Sequence, residues 1–162
     1  MPAFATDGPV GKLVRKMSTS SGFRKIGPKV IPPMDRAVYK ITRGRYLMSA
    51  GMVPVLILTS TGQKSGLARE SPLACVPEGD GWYVVGSNFA RPSHPAWTGN
   101  LMAHPEAKVG FRGTTYAVDA HLLSDEEKAE TWPRLVQTWP AFDDYRQITD
   151  RNLRVFRLTR RP

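Results

Sequence analysis

The sequence predicts an α+β chain built on a six-stranded antiparallel β-barrel, closed or split, with helices on its outside. Three observations carry that expectation. The 162 residues are about one domain's worth, with 41% hydrophobic and 23% charged residues, the mixture of an ordinary packed globule. Elements come in the order helices, strand meander, helices, one strand. The turns between consecutive strands are too short to hold a crossover helix, so those strands pair antiparallel. The longest apolar runs, such as Pro54-Val55-Leu56-Ile57-Leu58, fall far short of the about 20 residues a bilayer-spanning helix needs.

Taken in order, Val10, Leu13, Val14 and Met17 fall at helical spacing with Lys12, Arg15 and Lys16 between them, a short basic amphipathic turn or two. Gly22, Gly27, Pro28, Pro32 and Pro33 punctuate what reads as a linker. A helix is expected over about 34–48, with Val38 and Ile41 on one face. Pro54 to Thr61 is strand-like, and Thr61-Gly62-Gln63-Lys64-Ser65-Gly66 is a turn with glycine at both ends. Ala68 to Val76 is a second strand, interrupted by Pro72 and so placed at an edge or a bulge. Pro77 to Gly81 turns the chain into a third strand, Trp82 to Gly86. Ser87 to Pro95 is a loop in which Pro92 and Pro95 frame Ser93 and His94. A short helix, 96–103, ends at His104-Pro105. Strands follow over about 108–111 and 115–122, joined through Gly113. Ser124 and Glu127 form a capping box that opens a helix to about Trp139, with Pro133 inside it. A helix over about 141–150 and a strand over 155–158 complete the chain, which divides into a basic helical arm, 1–50, and a barrel, 51–162.

The net charge of +9 is unevenly placed. Residues 1–50 hold ten Lys and Arg against Asp7 and Asp35, a net +8, whereas 51–162 are nearly balanced at +1. Such an arm suits an anionic surface. Nucleic acid is not expected, because the arm has neither a recognisable binding motif nor interleaved aromatics. An anionic membrane fits better, although a helix packed on its own domain with a solvated basic face fits equally well. The chain carries no signal peptide pattern and one cysteine, Cys75, which fits a core residue in a reducing cytoplasm.

No metal signature is present: His94, His104 and His121 have no ligand spacing. A nucleophile elbow is also missing. The informative segment is the glycine-bracketed turn. Gly62 and Gly66 are free to adopt positive φ, while Lys64, Ser65 and Arg69 set two cations and a hydroxyl beside backbone N–H groups, a workable anion cradle that also fits a plain hairpin turn. It is not a P-loop, since Lys64 precedes the second glycine. A second constellation joins Gly86-Ser87-Asn88-Phe89 to Pro95-Ala96-Trp97-Thr98-Gly99-Asn100, a strand end meeting a helix start. Trp139, Phe142 and Tyr145 form an aromatic stripe that reads first as core.

Together these segments resemble the deazaflavin-dependent nitroreductase family. The resemblance rests on Val55 through Gly66 with Arg69 and Ser71-Pro72-Leu73, and on Val85-Gly86-Ser87-Asn88. It continues through His94-Pro95-Ala96-Trp97 with Asn100-Leu101, Ala103-His104-Pro105, Trp132-Pro133, Pro140-Ala141-Phe142, Tyr145 and Thr149-Asp150-Arg151. It runs from about residue 53 to 162 and implies a split barrel related to flavin-binding oxidoreductases, with 51–162 as the coenzyme-binding domain. It also implies actinobacterial origin and use of coenzyme F420, a 5-deazaflavin with a phosphate and an oligoglutamate tail.

By that resemblance Gln63, Lys64, Ser65 and Arg69 would hold the phosphate and acidic tail. Val85, Gly86, Ser87, Asn88, Ala96, Trp97, Thr98, Gly99 and Asn100 would line the deazaflavin, and Phe142 would contact the ring. Ser87 and Tyr145 are the catalytic candidates, polarising an acceptor oxygen. The implied reaction is hydride transfer from reduced deazaflavin to a quinone-like, nitro or unsaturated carbonyl acceptor. Alternatives are an FMN-dependent enzyme of the same barrel and a non-catalytic deazaflavin carrier. Two departures stand out: Gln63 replaces the family's usual arginine, and Trp139 and Phe142 replace tyrosines of its best-known nitroreductase, which weighs against nitroimidazole reduction. Family members also begin with a basic amphipathic segment linked to membrane association, so the arm is expected to place a cytoplasmic protein peripherally at the inner face of the membrane.

Overall fold

Successive side chains along a strand point to opposite faces, so each strand of this sheet offers one set of residues to the inside and the other to the outside. The computed structural model describes Lys12, Lys16 and residues 20–41 and 53–162. Six strands follow one another: β1 (Val55–Thr61), β2 (Ala68–Glu78), β3 (Gly81–Val85), β4 (Glu106–Phe111), β5 (Thr114–Leu122) and β6 (Val155–Arg160). Every pairing is antiparallel, and the order around the closed barrel is β1-β2-β3-β6-β5-β4. Among the described residues, the continuous α-helices are α1 (Ser21–Ile41), α2 (Ala96–Ala103), α3 (Asp125–Thr138) and α4 (Ala141–Ile148). The expected six-stranded antiparallel barrel with outer helices is therefore the fold.

One set of alternating positions fills the barrel. Leu56 and Leu58, Cys75, Trp82 and Val84, Val109, Val118, and Phe156 and Leu158 come from all six strands and form one cluster. Trp97 and Leu101 of α2, one helical turn apart, join that cluster, so α2 plugs the barrel. The other set, Val55, Val76, Val85 and Val155, packs outward on Trp132 and Leu135 of α3 and on Ala141, Phe142 and Tyr145 of α4. Cys75 is a core residue, and burial pushes its thiol well above the ordinary range.

The sequence reading needs correction at the arm. The stretch read as a proline-punctuated linker is helical throughout α1. Its period is set by Ile26, Val30, Met34, Val38 and Ile41, spaced by four and then three, and this stripe runs through Pro28, Pro32 and Pro33 although each removes a backbone donor. Of the turn expected over 10–17, Lys12 and Lys16 are described, both helical and exposed; its other residues, and the helix expected beyond Ile41, lie outside the described residues. Arg36 Nη1 donates to the Glu70 carbonyl of β2 at 3.1 Å and fastens α1 to the barrel. Among the described residues Pro72 pairs on one side alone: it faces Ile57 of β1, while β3 pairs with β2 only from Cys75 onward.

Candidate functional site

The turn between β1 and β2 is built from its own side chains. The Gly62 N–H donates to the Leu67 carbonyl at 2.8 Å and the Gly66 N–H to the Gly62 carbonyl at 2.9 Å. Gly66 has φ of 68°, as a glycine C-terminal to a tight turn allows; Gly62 does not use the left-handed region, but a Cβ there would crowd Ser65 Oγ and stand 3.2 Å from the Leu67 carbonyl. Ser65 Oγ accepts from the Leu67 N–H at 3.2 Å and from Arg69 Nη2 at 3.4 Å, which folds the guanidinium back over the turn. Gln63, Lys64, Ser65 and Arg69 are all exposed. The N–H groups of Lys64 and Ser65 have no partner among the described residues. Two cations and two free donors thus share one surface turn, the chemistry of an anion cradle.

Helix α2 ties this turn to the rest of the site. Asn100 Oδ1 accepts from the Gln63 N–H at 2.9 Å, and Asn100 Nδ2 donates to Ser60 Oγ at 3.2 Å. Gly99 lies directly under the Gln63 side chain, so that a Cβ there would stand 2.8 Å from Gln63 Oε1. One residue earlier, Thr98 Oγ1 donates to the Pro95 carbonyl at 2.8 Å and accepts from Arg154 Nη1 at 3.0 Å. The carbonyl of the same Arg154 accepts from the Gly86 N–H at 2.8 Å. A single turn of helix therefore couples the 62–69 turn to the end of β3.

Beyond β3 the chain runs through Ser87 and Asn88, both half-buried. Asn88 and Ala90 hold left-handed φ of 47° and 60°. Asn88 Nδ2 donates to the Ser93 carbonyl at 2.9 Å. Arg151, in the loop between α4 and β6, sends its guanidinium into this segment. Nε donates to the Arg91 carbonyl at 2.8 Å, Nη2 to the Ser87 carbonyl at 2.8 Å and Nη1 to the Gly86 carbonyl at 3.3 Å. His94 Nδ1 lies 3.0 Å from Nη1 and can only accept there. Burial first, and then Arg154 and Arg151, hold the imidazole below its ordinary range, so it stays neutral.

The structure divides the expected site residues by depth. Gln63, Lys64, Ser65, Arg69 and Ala96 are exposed, and Ser87, Asn88 and Gly99 are half-buried. Val85, Gly86, Thr98 and Asn100 are buried beneath and support that surface. Trp97, expected to line the flat ring, is 6% exposed and packs into the barrel, with its ring centroid 5.8 Å from that of Phe156. Phe142 and Tyr145 are 3% and 2% exposed in the core layer under α4, packed with Val85 and Ala90 behind the same turn, and Trp139 lies with them. Arg154 and the contacts of Arg151 escaped the sequence reading: their partners lie 56 to 65 residues away along the chain. No group of three or more His, Cys, Asp or Glu side chains among the described residues could hold a metal ion.

Comparison with known proteins agrees with this geometry. The model of the F420H(2)-dependent quinone reductase family matches residues 34–160. The F420H(2)-dependent quinone reductase Rv1261c of Mycobacterium tuberculosis is 30% identical over 143 residues, 85% of this chain and 95% of that protein. Among solved structures, the F420-H2 dependent reductase FDR-A superposes with a TM-score of 0.60 at 33% identity, covering 65% of this chain and 93% of its own. A second structure, described as a domain-swapped dimer, gives 0.62 at 29% identity over 76% of this chain and 94% of its own. With matches that span the barrel, α2 and both halves of the site, the chain belongs to the F420H(2)-dependent quinone reductase family.

Proposed function

We propose that this chain reduces a quinone-like acceptor with F420H2, and that nitro and unsaturated carbonyl compounds are acceptors of the same class. The observation that carries the reading is the coupling through α2, which holds an exposed cationic turn and a strand-end turn as one unit. The residues fit the coenzyme: Lys64, Arg69 and the free N–H groups of Lys64 and Ser65 suit a phosphate and an acidic tail, and Ser87, Asn88, Ala96 and Gly99, exposed or half-buried, are the residues we assign to a flat ring. When bound, the reduced deazaflavin supplies the hydride. The protein's part is to orient the acceptor and stabilise the charge its oxygen gains, before a proton from water completes the reduction. Ser87 is the hydroxyl we assign to that oxygen, because it reaches the surface. Tyr145, the other catalytic candidate, is buried, and we assign it to the packing that fixes the turn from behind.

Mixing the protein with reduced F420 and menadione tests this reading, with F420 and FMN titrated separately. Saturable F420 binding and F420H2 oxidation are expected. FMN binding in preference to F420 contradicts the coenzyme assignment, and binding without turnover across quinone, nitro and enone acceptors contradicts the reaction.

We further propose that α1 lies on an anionic membrane at its inner, cytoplasmic face. Exposed Ile26, Val30, Met34 and Ile41 form its apolar stripe, and exposed Lys25, Lys29 and Lys40 stand on the neighbouring face. The chain should sediment with phosphatidylglycerol vesicles and not with phosphatidylcholine vesicles, and Val30→Glu with Met34→Glu should release it; equal partition to both vesicles would contradict the assignment.

A further inference from the structure

We infer that Arg151 is a positioning residue for the hydride transfer: its guanidinium fixes the Gly86–Arg91 turn, and with it Ser87, against the coenzyme site. The inference rests on the F420 reading above and adds to it a residue outside both binding segments.

The turn needs an external support. It has left-handed φ at Asn88 and Ala90, neither of them glycine, and such backbone persists only where its surroundings over-determine it. Arg151 supplies the support from the far side of the chain. A guanidinium has five donors in a rigid planar fork, and here three carbonyls and one neutral imidazole nitrogen receive them. None of these acceptors is a carboxylate, so the contacts orient peptide groups and form no ion pair. In a trans peptide the N–H points opposite to the C=O. With the Gly86 and Ser87 carbonyls drawn toward Arg151, the N–H groups of Ser87 and Asn88 turn to the other face, and neither has a partner among the described residues. Arg151 therefore sets the direction of two peptide planes and the position of the Ser87 side chain between them. None of its acceptors lies within a barrel strand, and Arg151 belongs to neither core cluster. Its loss should disturb the site and spare the fold.

Lysine keeps the charge of Arg151 but not the fork. Relative to wild type, Arg151→Lys should keep its circular dichroism and melting temperature and bind F420 within about threefold, because the Lys64–Arg69 turn is untouched. Its kcat with F420H2 and menadione should fall about tenfold to a hundredfold, the scale of a misplacement near 1 Å. In the free protein, amide exchange at residues 87–91 should speed up while the strands stay protected. Arg151→Ala should recover part of its kcat with millimolar methylguanidinium and none with methylammonium. Wild-type kcat and wild-type exchange in Arg151→Lys would overturn the inference. So would a kcat that falls only in step with melting temperature and does not recover with methylguanidinium; if Arg151→Ala does not fold, Arg151→Lys alone decides. A wild-type protein that neither binds nor oxidises the coenzyme would remove the F420 reading together with the inference, whereas normal wild-type turnover unchanged in Arg151→Lys would remove the inference alone.

Discussion

Asn100 shows how much a single amide does in this site. Sequence resemblance sets it beside the deazaflavin; in the structure it is 7% exposed, and both ends of its side chain are used internally, one on Gln63 and one on Ser60. Asn100→Ala leaves a backbone donor and a buried hydroxyl without partners, which should cost about 1–3 kcal/mol in urea denaturation. F420 affinity should fall as well, because the 62–69 turn is no longer fixed to α2; unchanged stability and affinity would show that the turn holds itself. His94 gives a pH signature. Its folded-state pKa lies below the ordinary 6.5, so the unfolded chain takes up a proton first as pH drops. Stability should therefore decline as pH falls from about 6.5 through the lowered value, and His94→Gln should flatten that part of the profile of melting temperature against pH. The cationic turn was legible because Gln63, Lys64, Ser65 and Arg69 are nearly contiguous. The arginine contacts were not, since nothing local in Thr149-Asp150-Arg151 reveals acceptors at Gly86, Ser87 and His94.

Elements with a local chemical signature were readable, and those governed by competing signals were not. Ser124 and Glu127 form the capping box that the spacing predicts, with the Glu127 N–H donating to Ser124 Oγ at 3.2 Å and the Ser124 N–H to Glu127 Oε2 at 2.7 Å. Ser124→Ala should cost about 1 kcal/mol in chemical denaturation; no change would mean that packing of Trp132 and Leu135 alone secures α3. In α1 two rules conflict. Proline marks a break, yet the apolar spacing from Ile26 to Ile41 keeps helical period, and the period prevails. Pro133 in α3 is a second case, since the helix passes through it unbroken. Trp97 shows a related ambiguity: an indole next to a candidate ligand loop fits a ring wall or core, and in the structure it packs with its i, i+4 neighbour Leu101 in the barrel cluster.

At the scale of the molecule, six strands and short turns specify an antiparallel barrel, but they do not specify how it closes. The β3–β6 and β1–β4 pairings join strands far apart in the chain, and β1 meets β4 over only three residue pairs, from Ile57↔Gly110 to Thr59↔Lys108. Closure is what brings β6, with Arg154 just ahead of it, alongside β3, and so it assembles half of the site. Charge is likewise arranged globally: most of the excess lies on the arm, whereas the nearly neutral barrel sets Lys64 and Arg69, the cations proposed to hold the acidic tail, in one turn. Calorimetric titration of F420 into the intact chain and into a Lys64→Ala, Arg69→Ala double variant tests that arrangement most directly. A single saturable site is predicted, weakening with added salt and at least about tenfold weaker in the double variant. A flat titration of the wild-type chain, or equal affinity in both proteins, would contradict it.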